Sequence, residues 1–529
     1  MNWLLQKIKN NWNIYTITNE IEIHIKFFFF FLIISLIILL LYLFFSELNI
    51  FNQKFANNLL TEFKTILLSF IIIVSCFFFF IQLYVYLYWF NNYIIIENIN
   101  SLKFIQPIKD EIHFSLFSTN NFIINFTSMS ITKTSMIFSL LFCLLYPIIF
   151  FLLAYDYNEI SYKFYIYILF IYFFSFVLIF TNNIIVFYFS YEIILILVFA
   201  SMYLSSNSRG GIEAALFFLG WAILGSILVS LGVIIFVVLS DTYTFSEGIN
   251  NKLSSSEIYT IYLLLFFGFG TKLSTWPFWY WLPRAHVEVS TGMSIFLSCI
   301  LIKLSYYALL RFKLILNSEI SYNICILVTL LCVIDITTRL LNLTDLKALV
   351  AYSSVVHTNI LLLLVHLDSF RFLNTNILYI WGHSISTACI FISINLIESR
   401  YGTRNPLNLS GLYASSPLLS VVTLGSVIIF LDFPLTLFYW GEFYFWLTLF
   451  SNFTFISIQI LFLMGILFIS IFFKYWWNVL YGAPNYNTFK IADVNYFELL
   501  LIIFGLLLLM YLTGLSPSLL TVLTGNSIN

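Results

Sequence analysis

The sequence predicts an all-α polytopic membrane protein of about fourteen transmembrane helices, two of them broken within the membrane. Three observations carry that prediction. Of the 529 residues, 61% are hydrophobic and only 9% are charged; a soluble domain carries roughly 25% charged residues, so most of this chain has no water-solvated surface. Mean hydropathy is +0.99, and apolar runs of about 20 residues, the length that crosses a hydrocarbon core, recur along the chain. The connections between the runs are short, as expected where each backbone group must be bonded inside its own helix.

In chain order, spans are expected near 25–46, 64–90, 133–155, 163–181, 184–204, 212–240, 259–280, 290–311, 321–342, 347–366, 372–397, 413–450, 454–474 and 495–515. The stretch 413–450 is too long for one span, and Pro434 beside Asp432 predicts a helix broken at membrane depth. A second break is expected around Pro277 and Pro283, following Lys272. Such breaks line hydrated cavities, because lipid does not tolerate unpaired backbone groups. The polar connection 91–132 reads as an interfacial amphipathic stretch or a loop. Lys and Arg fall on both alternate sets of loops (Lys7, Lys9, Lys103 and Lys109, but also Arg209, Arg400 and Arg404), so the positive-inside rule does not set the orientation.

Net charge is −1, which gives no electrostatic footprint for nucleic acid. The abundance of Phe (62) and Tyr (34), with Ile and Asn runs such as NNYIIIENIN, is what an A+T-rich coding sequence favours and points to an organellar genome or a low-GC bacterium. Glu20 and Glu22 come early, unlike an acid-poor transit peptide, so an organellar location implies synthesis inside the organelle. Six scattered cysteines (Cys76, Cys143, Cys299, Cys325, Cys332, Cys389) form no CxxC pair and read as buried thiols rather than metal or cluster ligands. No phosphate loop, HExxH, GxSxG or dinucleotide fingerprint is present, so the sequence shows no machinery for chemistry on a soluble organic substrate.

What remains are charges in places where they are expensive. A charge at the bilayer centre costs about 2.5–3.5 kcal/mol on insertion scales, which makes each one a functional candidate by default. Glu192 sits in VFYFSYEIILILVFA, Lys303 in SIFLSCILIKLSYYALLRF and Glu442 in FPLTLFYWGEFYFWLTLF. Lys272 precedes the proline break; Arg311 and Lys313 end their span and read as interfacial. His357 stands one helical turn after Ser353, and His383 lies among Ser384, Ser386 and Thr387; packing and relay remain open readings for both histidines. Gly441 beside Glu442 admits a close neighbour. One titratable group per helix, with Ser and Thr between, is the pattern of a proton path: burial disfavours a lysine's charge and a nearby carboxylate restores it, so a Glu–Lys pair that opens and closes captures and releases a proton.

Three blocks carry a resemblance: Lys272 to Glu288 (KLSTWPFWYWLPRAHVE), Ile300 to Arg311 (ILIKLSYYALLR) and Asp345 to His357 (DLKALVAYSSVVH). Together, in this order, they resemble the antiporter-like membrane subunits of respiratory complex I, a family that includes the large subunits of multisubunit sodium/proton antiporters. Glu442 after Pro434, together with His383 in WGHSIS and Glu398-Ser-Arg400, resembles the subunit 4 branch, where paralogues usually carry lysine at the Glu442 position. The resemblance implies fourteen helices with two inverted five-helix repeats, each holding a broken helix. It also implies that Glu192 pairs with Lys272, that Lys303 is a central relay, that His357 and His383 lie between it and the exit, and that Glu442 is the terminal gate. The chain divides accordingly into 1–124, a divergent segment with two spans; 125–453, the antiporter-like core; and 454–529, the C-terminal spans. It departs from the family at Trp279 and Tyr280, where a histidine is usual, and at Arg284, where Asp or Lys is usual.

The implied function is that of a proton-translocating membrane-arm subunit of NADH:ubiquinone oxidoreductase, with a subunit of a multisubunit monovalent cation/proton antiporter as the alternative. No cofactor, metal or redox centre is expected in this chain. The implied partners are other membrane-arm subunits, including paralogous antiporter-like ones, and lipids, but no nucleic acid. The implied location is the mitochondrial inner membrane, with the bacterial inner membrane as the alternative.

Overall fold

A computed structural model describes residues 112–115, 128–155, 162–206, 208–245, 253–316, 323–366 and 372–452, with 465, 469, 472–483, 493, 494 and 514. The spans expected near 25–46, 64–90 and 495–515 lie outside the described residues except for Gly514, as does most of 454–474. The described chain forms two compact units, one comprising residues up to 204 with 242–247, the other 205–241 with the rest.

Among the described residues, the first unit holds a β pair and three helices: α1 Lys133–Tyr155, α2 Tyr162–Phe180 and α3 Ile184–Ser205. The described chain is mostly helical, as expected, and the β pair is a small addition within the polar connection 91–132. Strands β1 (Ile112–Ser115) and β2 (Ser128–Ile131) pair antiparallel, Ile112 opposite Ile131. The segments Ile-His-Phe-Ser and Ser-Met-Ser-Ile alternate with period two, a strand pattern too short to stand out beside helices of twenty residues. β2 is tied onward by Asn182 N–H donating to Ser128 O at 2.9 Å.

In the second unit, α4 Arg209–Ser240 and α5 Ser255–Gly270 pack as an antiparallel pair. A capping box at Ser254 and Glu257 starts α5. After the first break come α6 Trp281–Glu288, α7 Thr291–Leu316, α8 Asn323–Arg339, α9 Leu346–His366 and α10 Phe372–Tyr401. The long run 413–450 splits as expected, into α11 Pro417–Phe430 and α12 Leu437–Asn452.

Among the described residues, six helices are long and apolar enough to cross a membrane, and their burial ranks them within the second unit. The apolar windows of α7, α9 and α10 are 100%, 83% and 94% buried, whereas that of α4 is 33% buried and shows Leu216, Ile223, Ile227, Ile234 and Val238 outward. An outer helix with an exposed apolar face suits lipid; polar groups on a wholly enclosed helix must find partners inside the protein. The three enclosed helices are those that carry Lys303, His357 and His383.

The first break begins earlier than the prolines suggest. α5 stops at Gly270, six residues or more before Pro277, so Lys272 lies in the irregular segment rather than ahead of it. Ser274 takes a left-handed conformation (φ 56°). Pro283 breaks nothing, because it occupies the first turn of α6, where no N–H is needed. The exposed carbonyls of the break are taken up by side chains: Trp281 Nε1 donates to Thr271 O (2.7 Å) and Asn359 Nδ2 to Ser274 O (3.2 Å). Gly225 of α4 lets that helix lie against the break, since a Cβ there would fall 2.0 Å from Thr271 Oγ1. Trp279 Nε1 also donates to Asp335 Oδ2 (3.1 Å), and the Arg339 guanidinium lies 4.8 Å from the Trp279 ring, clamping the segment to α8.

Arg311 departs from the interfacial reading. It is buried at 8% exposure and donates to Tyr307 Oη at 3.2 Å, while Lys313 donates to Val365 O. Arg311 thus turns inward, whereas Lys313 is part-buried and its neighbour Leu314 is 55% exposed. The five described cysteines are buried free thiols.

Candidate functional site

Lys303 lies two residues after a π-helical turn, Leu297–Leu301, inserted into α7. In that turn Ile302 N–H reaches back five residues to Leu297 O, and the widened turn presents the Ser298 carbonyl to the lysine. Lys303 Nζ donates to Ser298 O at 2.8 Å and lies 2.7 Å from His383 Nδ1. Both side chains are wholly buried. Two nitrogen bases at that distance share one proton: an ammonium donates to a bare Nδ1, or a protonated Nδ1 donates to an amine.

From His383 the series continues to His357, whose ring centroid is 5.4 Å away. His383 Nε2 meets no hydrogen-bond partner among the described residues. His357 Nδ1 is 2.9 Å from Tyr379 Oη, which fixes the ring between α9 and α10. Phe430 and Phe438 pack against the His357 ring at 5.6 and 5.1 Å, so the passage between the helices is narrow and mostly apolar.

Beyond His357 lies the second break. Asp432 takes a left-handed conformation (φ 56°), Leu435 another (φ 81°), and Thr436 Oγ1 accepts from Tyr439 N–H to start α12. This turn swings Asp432 back toward Glu442, and one ligand atom each from His357, Asp432 and Glu442 lies within 4.8 Å of the others. Gly441 makes that approach possible: a Cβ there would fall 2.7 Å from Tyr379 Cα, so α12 lies directly on the α10 backbone.

The structure therefore brings four of the six expected residues, Lys303, His383, His357 and Glu442, into one series. Lys272 is buried in the first break (1% exposed), and Ser274 Oγ of the same break is 3.5 Å from Thr358 Oγ1. Glu192 is a part-buried residue of α3, in the first unit.

Three neighbours escaped the sequence reading as site residues. Asp432 had a visible signal, a carboxyl next to a proline inside an apolar run. Tyr379 had none, because one tyrosine among 34 is not distinctive. His286 was visible only as part of a motif; it is fully buried, stacks on Phe391 (5.2 Å, 17°) and has Lys303 and Lys347 as charged neighbours. Lys347 Nζ in turn donates to Val289 O at 2.6 Å, and Arg404 donates to Val287 O at 2.9 Å and pairs with Asp345 and Glu398. These two cations complement the carbonyl end of α6.

The family model described as NADH:quinone oxidoreductase/Mrp antiporter, TM, matches residues 181–473. The chain belongs to this family. The match contains both breaks and all six expected site residues of the antiporter-family chain. A curated relative from Paramecium tetraurelia, NADH-ubiquinone oxidoreductase chain 4, is 31% identical over 365 residues, 68% of this chain and 76% of its own. That relative bears out the resemblance to the subunit 4 branch of the family. In fold the chain is similar to a chain of the archaeal membrane-bound sulfane sulfur reductase complex (TM-score 0.76, 16% identity, 95% of this chain and 96% of that one). It is also similar to a chain of respiratory complex I from Thermus thermophilus (TM-score 0.65, 20% identity, 75% and 86%). At these identities the two likenesses concern the fold alone.

Proposed function

We propose that this chain is a proton-translocating membrane-arm subunit of NADH:ubiquinone oxidoreductase in the mitochondrial inner membrane, set among other membrane-arm subunits that include its paralogues. The observation that carries the proposal is the Lys303–His383 contact of 2.7 Å between two wholly buried bases on two enclosed helices, continued by His357 to a carboxyl at the second break. A packing role asks for no such series, because buried bases facing one another cost more than apolar side chains of similar size. A proton route asks for it, with titratable groups following one another from Lys303 to the second break.

On this reading the chain holds no cofactor and performs no redox step. NADH oxidation and quinone reduction take place in partner subunits and bias a Glu192–Lys272 pair. The proton then passes from Lys272 to Lys303, through His383 and His357, and leaves at Glu442. We further propose about fourteen spans in two inverted five-helix repeats, with 1–124 and 454–529 flanking the core 125–453. Two family matches support the reading, the 181–473 match and the chain 4 relative, and the two breaks agree with it.

The test is Lys303→Met in the assembled enzyme reconstituted in vesicles, with NADH oxidation and proton movement measured together. Fewer protons per NADH are expected; an unchanged ratio removes Lys303 from the route. Sodium-dependent proton exchange by the wild-type assembly without NADH or quinone would instead favour the antiporter reading.

A further inference from the structure

The proton route above ends at Glu442, but the structure surrounds that residue with more than a single gate requires. Asp432 belongs to the second break, and one of its carboxyl oxygens lies within 4.8 Å of a Glu442 carboxyl oxygen and of a His357 ring nitrogen. Two carboxyl groups this close repel one another when both are ionised, so the arrangement favours one proton held between them.

The alternatives for Asp432 are an ion pair or a backbone cap. No Lys or Arg pairs with it or with Glu442 among the described residues, and Asp432 Oδ1 is buried without a hydrogen-bond partner. Other aspartates of the chain show what capping looks like. Asp493 takes the Leu418 and Leu419 N–H groups at 2.9 and 3.0 Å at the start of α11, and Asp345 takes that of Lys347 at 2.7 Å. Asp432 accepts from no backbone N–H among the described residues. What it faces is Glu442 of α12, His357 of α9 within the same 4.8 Å, and Tyr379 of α10, with His383 behind His357 and Phe430 and Phe438 as apolar walls.

We propose that Asp432 is a second proton-carrying carboxyl at the exit, which shares one proton with Glu442 and takes the next from His357; this rests on the proton route proposed above. In the transfer, the imidazolium N–H bond of His357 breaks as an O–H bond forms on one carboxyl of the pair, and the proton already held leaves from the other carboxyl. Charge and atoms balance without any redox partner. The pair gives the exit an acceptor that is never a lone carboxylate facing an apolar wall, and it couples each arrival to a departure.

The test uses the assembled enzyme in vesicles, carrying Asp432→Asn, Asp432→Glu or Lys303→Met, with protons moved per NADH followed against pH and assembly checked on native gels. Asp432→Asn is expected to lower protons per NADH by about the same factor as Lys303→Met, and Asp432→Glu to restore the ratio with a displaced pH profile. Asp432→Asn with a wild-type ratio and profile, beside an impaired Lys303→Met, overturns the role of Asp432 and leaves the route standing. A wild-type ratio in Lys303→Met overturns the route itself. Equal impairment in Asn and Glu variants that assemble normally, with an unmoved pH profile, marks a structural residue and also overturns the proposal. If Asp432→Asn does not assemble, the pH profile of Asp432→Glu decides: a displaced profile supports the role, and an unmoved one overturns it.

Discussion

Lys303 Nζ and His383 Nδ1 stand 2.7 Å apart at the centre of two enclosed helices, a base facing a base. The pair is stable with one proton in either arrangement and has no reason to exist as a salt bridge, since neither member is acidic. This separates it from the Arg339–Asp335 contact, which opposes charges 2.9 Å apart near the surface and serves to clamp the first break.

The distinction predicts the behaviour of arginine at position 303. A guanidinium keeps the positive charge and can still donate to Ser298 O and His383, but it does not release its proton in a protein. If Lys303 served only as a fixed cation, Lys303→Arg would keep most activity. The expected outcome is that Lys303→Arg loses as many protons per NADH as Lys303→Met, measured in vesicles from matched assemblies.

Tyr379→Phe removes the hydroxyl at 2.9 Å from His357 Nδ1 and leaves the aromatic packing in place. A hydrogen bond of this kind contributes about 0.5–1.5 kcal/mol, so a few-fold to tenfold slowing of proton transfer is expected if the bond orients the ring. Turnover under an imposed proton gradient reports it. A variant indistinguishable from wild type would show that ring packing against Phe438 suffices.

Much of this arrangement was legible in the sequence because lipid enforces simple rules. A charge inside an apolar run stands out, which is how Lys303 and Glu442 were found, and α1 begins and ends where the apolar run does. The breaks were legible only in part. Pro434 marked the second correctly, but at the first the chain leaves the helix at Gly270, where Trp281 Nε1 takes the Thr271 carbonyl and Gly225 of α4 lies against Thr271, contacts that no local pattern reveals. The β1–β2 pair was missed because four-residue alternation is short beside helices of twenty. The role of Asp432 is not legible locally, since it depends on a left-handed turn that brings it to Glu442.

That turn depends on close helix contact, which Gly441→Ala should disturb. The added Cβ would lie 2.7 Å from Tyr379 Cα, a backbone atom that cannot swing aside. Overpacking of this kind costs about 1–3 kcal/mol. A lower thermal midpoint of the solubilised assembly and reduced proton movement are expected together, because the displaced α12 carries Glu442.

At the first break the corresponding contact allows a sharper test, because it includes a removable side chain. A Cβ at Gly225 would fall 2.0 Å from Thr271 Oγ1, 3.1 Å from Thr271 Cβ and 2.8 Å from Gly268 O. The first clash belongs to a side chain and the last to backbone, so they respond differently to a second substitution. Gly225→Ala alone is expected to destabilise the assembly by about 1–3 kcal/mol and to lower proton movement by displacing the segment that carries Lys272. Thr271→Ala alone removes the hydroxyl that donates to Gly268 O at 2.9 Å, a loss of about 1 kcal/mol. Combined, the two should cost less than their sum, with a coupling of about 0.5–3 kcal/mol, because the worst contact is gone while the backbone clash persists. A full double-mutant cycle on thermal stability measures this. Strict additivity would mean that α4 shifts as a whole to accommodate the methyl group, and that the first break is not held in place by this helix.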